Sequence, residues 1–309
     1  MKKVLVTGAN GFVGNHLVKE LTENGIETVG IGGRSVNINK SPLIPDFKVL
    51  ELLDPEAVKK IDFNDIDGVI HLAGLAAPAP SFDKPLEYIN TNMGIEANLF
   101  EAALAQNAKP KFVIVSSGSL YDPKAPMPFT ESSPVCPNSP YAVSKIGQEQ
   151  LAQYYGIRGF ECVIVRPFNH IGPGQNLGFI VPDLTKQVVD FERGIIKEVT
   201  VGNLDAKRDY TDVRDIVKAY RLLFEKGKSG ETYNICSGSA LSGHEILSNI
   251  LKVAGCEPPI VKDEAKTRPS DRPVLYGSHQ KITDDTGWKP EIDIEKTIQD
   301  VIADWRSRS

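Results

Sequence analysis

Short apolar runs alternate with longer stretches of helical period through the first half of the chain. Val4–Val6, Thr28–Ile31, Phe47–Leu52, Val69–Leu72, Phe112–Val115 and Cys162–Val165 are continuously apolar rather than alternating, the pattern of strands buried on both faces. After the first run, Val13, Leu17 and Leu21 recur at i, i+4 and i+8 until Gly25, which predicts an amphipathic helix closed by glycine. Strand followed by helix, repeated, predicts an α/β fold: a doubly wound parallel sheet with right-handed crossovers.

Beyond Arg166 the rhythm breaks at Pro167, Pro173 and Pro182. Residues 212–225 again read as helix, and Ser242-Gly-His-Glu245 is a capping box whose helix Gly255 closes. The segment from Ile292 to Trp305 is amphipathic. This pattern divides the chain into a sheet domain over 1–166 and a smaller C-terminal α/β lobe over 167–309, with 206–236 returning to the sheet.

Composition narrows the class. The 309 residues carry a net charge of −5, with 24% charged and 41% hydrophobic positions, which fits a folded chain and gives no basic footprint for nucleic acid. No apolar run nears the roughly 18 residues of a membrane helix, and the run after Lys2-Lys3 is too short for a signal sequence. Cys136, Cys162, Cys236 and Cys256 are scattered, and the five histidines show no HxxH or HExxH spacing, so neither a disulfide framework nor a metal site is expected. A reduced, cytoplasmic enzyme is the expectation.

Two motifs carry chemistry. The first predicted strand runs into Gly8-Ala-Asn-Gly11-Phe-Val-Gly14 and then a helix. Gly8 permits a tight turn, Gly11 lets backbone approach a pyrophosphate, Gly14 seats the helix on the strand, and the helix start attracts the anion. A dinucleotide is therefore expected on Gly8, Asn10, Gly11, Phe12, Val13 and Gly14. At the end of the second strand, where an NAD-preferring site places a carboxylate, stands Gly32, with Arg34 two residues on. An arginine can fork onto a 2′-phosphate, so NADPH is expected over NADH.

The second motif is Tyr141-xxx-Lys145, whose i, i+4 spacing places both on one helix face, downstream of a strand that ends in Ser116-Ser117-Gly-Ser119. A nearby ammonium favours the phenolate, so Lys145 is expected to lower the tyrosine pKa.

With these residues, and with His71-Leu-Ala-Gly74, Arg166-Pro-Phe-Asn169 and Lys207-Arg-Asp-Tyr-Thr-Asp212, the chain resembles the extended short-chain dehydrogenase/reductases of the nucleotide-sugar epimerase/dehydratase family over essentially its whole length. One departure is Ile95, where the family places glycine after Asn92. The resemblance implies a Rossmann-like fold. It implies Tyr141 as proton donor to the sugar oxygen, Lys145 on the nicotinamide ribose, and Ser117 bonding the reacting oxygen. It adds Glu51 and Leu52 at the adenine, Leu72, Ala73, Gly74 and Asn92 around the cofactor, and Ser119, Asn169, Lys186, Arg208, Arg268 and Asp271 on the nucleotide sugar.

Family dehydratases carry a glutamate in the strand-end motif; here Gly118 and Ser119 hold no carboxylate, so the base for proton abstraction is missing. The cysteine and histidine of epimerising reductases are replaced by Ser119 and Gly174. The closest likeness is to GDP-4-keto-6-deoxy-D-mannose reductases, which form GDP-D-rhamnose. The alternatives are an NAD-dependent 4-epimerase and a non-catalytic scaffold. Family members commonly dimerise through two helices from each subunit, so a homodimer is expected; the helices around Glu96–Ala105 and Ser144–Tyr155 suit that surface, and their apolar faces equally suit core packing.

Overall fold

The computed structural model describes residues 2–33, 46–264 and 273–308. The first six strands are β1 (Lys3–Thr7), β2 (Glu27–Gly32), β3 (Asp46–Val49), β4 (Gly68–His71), β5 (Lys111–Val115) and β6 (Cys162–Pro167). Short strands β7 (Asn169–Ile171), β8 (Val199–Val201), β9 (Lys207–Arg208) and β10 (Tyr210–Asp212) precede β11 (Thr232–Ile235). After β11 come β12 (Leu241–Ser242), β13 (Ile260–Lys262) and β14 (Val274–Leu275).

Seven strands form one parallel sheet in the order β11-β6-β5-β4-β1-β2-β3. The order reverses between β1 and β4, which is where open α/β sheets form their ligand crevice at the carboxyl ends of the strands. The third strand is shorter than its apolar run suggests: it stops at Val49, and Glu51 and Leu52 follow in a turn.

Helices α1 (Phe12–Glu23), α2 (Pro55–Val58), α3 (Pro85–Ala105) and α4 (Pro140–Ile157) lie within the sheet unit. Then come α5 (Ile180–Glu192), α6 (Val213–Lys226), α7 (Gly243–Ala254), α8 (Gln280–Thr286) and α9 (Ile294–Ser307). Glycine ends α1 through Gly25 at φ +72°, and α7 carries both its capping box and a left-handed Gly255 at its end.

One side of the sheet packs Val4, Val6, Ile70 and Val163 against Leu17 and Leu21 of α1 and Ile216, Tyr220 and Leu223 of α6. The other packs Leu5, Val69, Phe112 and Ile164 against Leu99 and Phe100 of α3 and Ala152 and Tyr155 of α4. A separate core joins α5, α7 and α9 through Val188, Ile246, Ile250, Val301 and Ile302.

Candidate active site

The glycine loop follows from three close approaches. Gly8 sits at φ +70°, and a β-carbon on it would lie 3.0 Å from the Ala73 nitrogen. A β-carbon on Gly14 would lie 2.2 Å from the Gly8 carbonyl oxygen, so only glycine lets α1 rest this close to β1. Gly11 begins α1 with no side-chain cap, and its own N–H donates to the Gly8 carbonyl at 2.9 Å. The N–H groups of Phe12, Val13 and Gly14, which have no partner within the helix, therefore remain for an external anion. This cradle fits a dinucleotide pyrophosphate.

At the end of β2, a β-carbon on Gly32 would lie 2.2 Å from Asn10 Oδ1 and 2.7 Å from the Phe47 ring. Buried Asn10 thus fills the space that an acidic side chain at position 32 would enter. Arg34, the expected 2′-phosphate ligand, lies outside the described residues, as do Arg268 and Asp271.

Thr7 ties β1 to the loop after β4. Its hydroxyl oxygen accepts from the N–H groups of Leu72 and Ala73, both at 3.1 Å. Its proton is then free only for His71 Nδ1, at 2.8 Å, which makes Nδ1 the acceptor and assigns the imidazole proton to Nε2. Burial, followed by the neighbouring Lys145, pushes the His71 pKa down to about 3, so the ring is neutral.

Asn92 is committed internally. It accepts from the Leu75 N–H at 2.7 Å and donates to the Leu75 carbonyl at 3.2 Å and to Ser144 Oγ at 2.9 Å. Expected at the cofactor, it instead braces the loop of Leu72, Ala73 and Gly74 against α3 and α4. The adenine expectation also changes. The Glu51 carboxylate accepts from the Leu53 N–H at 3.3 Å, and Leu52 is buried in the core beneath α3.

The trio expected from the sequence converges. Ser117 follows β5 and caps a short turn, accepting from the Ser119 N–H at 3.1 Å, while the two serine hydroxyls lie 2.9 Å apart. Ser139 caps α4 through the Ala142 N–H, and Pro140 fills its first position, which fixes Tyr141 in the opening turn. The Tyr141 ring meets Tyr88 edge-on at 6.4 Å, and Ser117 is the neighbour that draws the Tyr141 pKa down.

The electrostatics differ from the sequence expectation. Burial pushes Tyr141 up to about 12 against the opposing pull of Ser117, and Lys145 is not among the groups acting on it. The Lys145 ammonium donates to the Val115 carbonyl at 2.8 Å, and burial pushes its pKa down to about 8 against Glu96 and Glu149. The phenol is therefore a held proton in this geometry, not an acidified one.

Asn169 is exposed at the start of β7, between two neighbours that reach both halves of the crevice. Phe168 sits where a β-carbon on Gly118 would lie, 2.7 Å away, and His170 stacks on Phe12 with ring centroids 6.1 Å apart. Expected on the nucleotide sugar, Lys186 instead pairs with Asp190 one turn along α5, and Arg208 donates to the Lys207 carbonyl at 2.8 Å.

Sequence reasoning passed over the polar support under the trio. Glu149 accepts from Ser116 Oγ at 2.6 Å and takes Arg166 bidentately at 2.8 and 2.7 Å, with all three residues buried. Arg166 also donates to the Tyr121 hydroxyl at 3.1 Å, which donates to Asn234 at 2.6 Å. The available signal was Glu149 itself, an acid four residues after Lys145 on the inward face of α4.

Comparison with known proteins agrees with this geometry. The family model described as GDP-mannose 4,6 dehydratase matches residues 5–301. The GDP-6-deoxy-D-mannose reductase of Pseudomonas aeruginosa is 33% identical, covering 99% of this chain and 98% of its own. A solved structure of RMD from Pseudomonas aeruginosa complexed with NADPH superposes with a TM-score of 0.87 at 32% identity, covering 100% of both chains. UDP-glucose 4-epimerase 2 of Arabidopsis thaliana is 30% identical across 100% of this chain and 96% of its own. The glycine cradle, the seven-stranded parallel sheet and the full-length match together place the chain in the GDP-mannose 4,6-dehydratase family of extended short-chain dehydrogenase/reductases.

Proposed function

We propose that the protein is a nucleotide-sugar 4-ketoreductase that uses NADPH to convert GDP-4-keto-6-deoxy-D-mannose to GDP-D-rhamnose. The observation that carries this reading is Tyr141, a buried phenol in the opening turn of α4 that keeps its proton at neutral pH and can give it to a carbonyl oxygen. The full-length likeness to a GDP-6-deoxy-D-mannose reductase supports the substrate.

When bound, NADPH supplies the hydride. The N–H groups of Phe12, Val13 and Gly14 hold its pyrophosphate, and the Asn10–Gly32 contact leaves no room for an acid that would repel a 2′-phosphate. Ser117 orients the carbonyl oxygen, Tyr141 releases its proton to that oxygen, and Lys145 holds the nicotinamide ribose. Ser119, Asn169 and Arg208 take the nucleotide sugar in this reading, and the family resemblance adds Arg268 and Asp271. Residues 1–166 with 206–236 hold the dinucleotide, and 167–309 the sugar nucleotide.

Copies pair through α3 and α4, where Leu86, Val143 and Ile157 are exposed. No described helix is long and apolar enough to cross a membrane, and the four thiols are free, as in a reducing cytoplasm.

The test mixes the protein with NADPH and GDP-4-keto-6-deoxy-D-mannose. Stoichiometric NADPH oxidation with appearance of GDP-D-rhamnose by NMR is expected. A 4-epimerase, the second reading suggested by the epimerase relatives, would interconvert C4 epimers without net change in the cofactor, and that outcome would replace the proposal.

A further inference from the structure

The inner face of α4 changes in kind along its length. Ala152 and Tyr155, in its later turns, pack with Phe112 and Ile114 of β5. Toward its start the contacts with that strand become polar. The Lys145 ammonium donates to the Val115 carbonyl at 2.8 Å, and one turn on the Glu149 carboxylate accepts from Ser116 Oγ at 2.6 Å. Tyr141 opens the same face, so residues 141, 145 and 149 form one stripe at i, i+4 and i+8. Strand alternation carries Phe112, Ile114 and then Ser116 to the side of the sheet that α4 covers.

Ser116 is also where the sheet releases β5. The β5–β6 ladder ends at the Val115–Val165 pair, and the Ser116 N–H donates to the Val165 carbonyl at 2.8 Å. Ser117 follows as the cap of the short turn, outside the ladder. From there the distance between Ser117 and Tyr141 depends on how the end of β5 is fastened to α4. Glu149 is a fixed anchor for that purpose. Arg166 of β6 holds both of its oxygens, at 2.8 and 2.7 Å, and donates to the Tyr121 hydroxyl, which is itself bonded to Asn234 of β11. The guanidinium already pairs this buried acid, so the serine hydroxyl is not needed to compensate its charge. Nor does packing require it, since alanine would fill a position that is 2% exposed. What the hydroxyl adds is a tie between strand and helix.

We propose that Ser116 is a positioning residue for the reduction: its hydroxyl, clamped on Glu149, sets the gap across which Ser117 and Tyr141 share the substrate oxygen. The inference rests on the reading of Ser117 and Tyr141 given above. Without the tie the two hydroxyls drift relative to each other, and a smaller share of bound substrate stands in reacting geometry. Binding of the cofactor and of the nucleotide, made elsewhere, is left as it was.

The experiment compares wild type, Ser116→Ala, Ser116→Thr, Ser117→Ala and the double variant Ser116→Ala/Ser117→Ala as full-length proteins in NADPH-dependent reduction. Ser116→Ala is expected to lose about 10-fold in kcat with KM and NADPH affinity near wild type, and Ser116→Thr, which keeps the hydroxyl, to recover most of it. Because Ser116 acts through Ser117, the loss should vanish when Ser117 is already alanine. Wild-type kcat in Ser116→Ala overturns the proposal. So does a loss of the same size in the Ser117→Ala background, which is the additivity of independent sites. Hydrogen exchange over residues 117–120 gives a readout that needs no turnover: Ser116→Ala should exchange several-fold faster there, with α4 unchanged. If the wild type does not oxidise NADPH with this substrate, it is the proposed function that falls, and exchange alone then decides. Equal rates in wild type and Ser116→Ala overturn the tie, and faster exchange in the variant upholds it.

Discussion

The two faces of the main sheet are built differently. Under α1 and α6, the contacts are Val4, Val6, Leu17, Leu21, Tyr220 and Leu223, an apolar seal typical of a crossover helix. Under α3 and α4 the same kind of seal, with Phe100 stacked on Phe112 and Tyr155 at 4.0 and 4.2 Å, gives way toward the carboxyl ends of the strands to His71, Glu96, Lys145, Glu149 and Arg166. Burying charge is costly unless it is paired. The face from which Tyr141 reaches the crevice carries the cluster around Lys145, whereas the buried acids of the opposite side, Asp212 and Asp215, sit at the start of α6 and are satisfied by Arg214 and by the Glu291 and Ile292 N–H groups.

The sharpest way to break this comparison is at its chemical end. Tyr141→Phe should lower kcat for reduction by about 10²–10⁴-fold, while the thermal unfolding midpoint stays close to wild type, as read by steady-state assay and circular dichroism. Wild-type turnover in that variant would remove the phenol from the reaction.

The next effect is on stability. Arg166→Met strands the buried Glu149 carboxylate and should cost about 3–5 kcal/mol in chemical denaturation, whereas Arg166→Met combined with Glu149→Leu should recover most of it. The apolar face has no such rescue: Leu17→Ala should cost about 2–5 kcal/mol with no compensating partner nearby.

At the cofactor end, Gly32→Asp drives a side chain into Asn10 and should cost about 1–3 kcal/mol, with weaker NADPH binding by fluorescence titration. Adding Asn10→Gly should relieve the strain, and the double variant should shift preference toward NADH. The mildest effect is the pH limb. Lys145 loses its proton as pH rises through about 8, so turnover should decline above that pH. Because the His71 pKa is pushed down to about 3, no limb from that residue should appear near pH 6–7.

The sheet was readable because parallel strands buried on both faces leave continuous apolar runs, and because Gly25, Gly255 and the Ser242–Glu245 box punctuate the helices. The glycine loop and Tyr141–Lys145 were readable because their spacing is itself the geometry. What escaped was long-range. The place of Asn10 against Gly32 depends on how β1 and β2 sit side by side. Glu96, an acid in the middle of a helix, looks like any solvated position until α4 is laid over it. The strand through Phe47 was drawn too long because Leu50 and Leu52 are apolar for the packing of a turn, not for a ladder. Lys145 does not set the Tyr141 pKa as the spacing suggests, because spacing places two side chains on one face but says nothing of how deeply each is buried.

Phe12 occupies the first turn of α1, with His16 edge-on at 5.7 Å and His170 flat against it, while His16 reaches the Pro173 carbonyl at 2.8 Å. This ring is a mechanical clasp between the loop that would grip a diphosphate and the strand that opens the second lobe. The start of α1 is therefore in direct contact with β7 and the segment through Pro173, so the diphosphate cradle and the entrance to the second lobe share one wall.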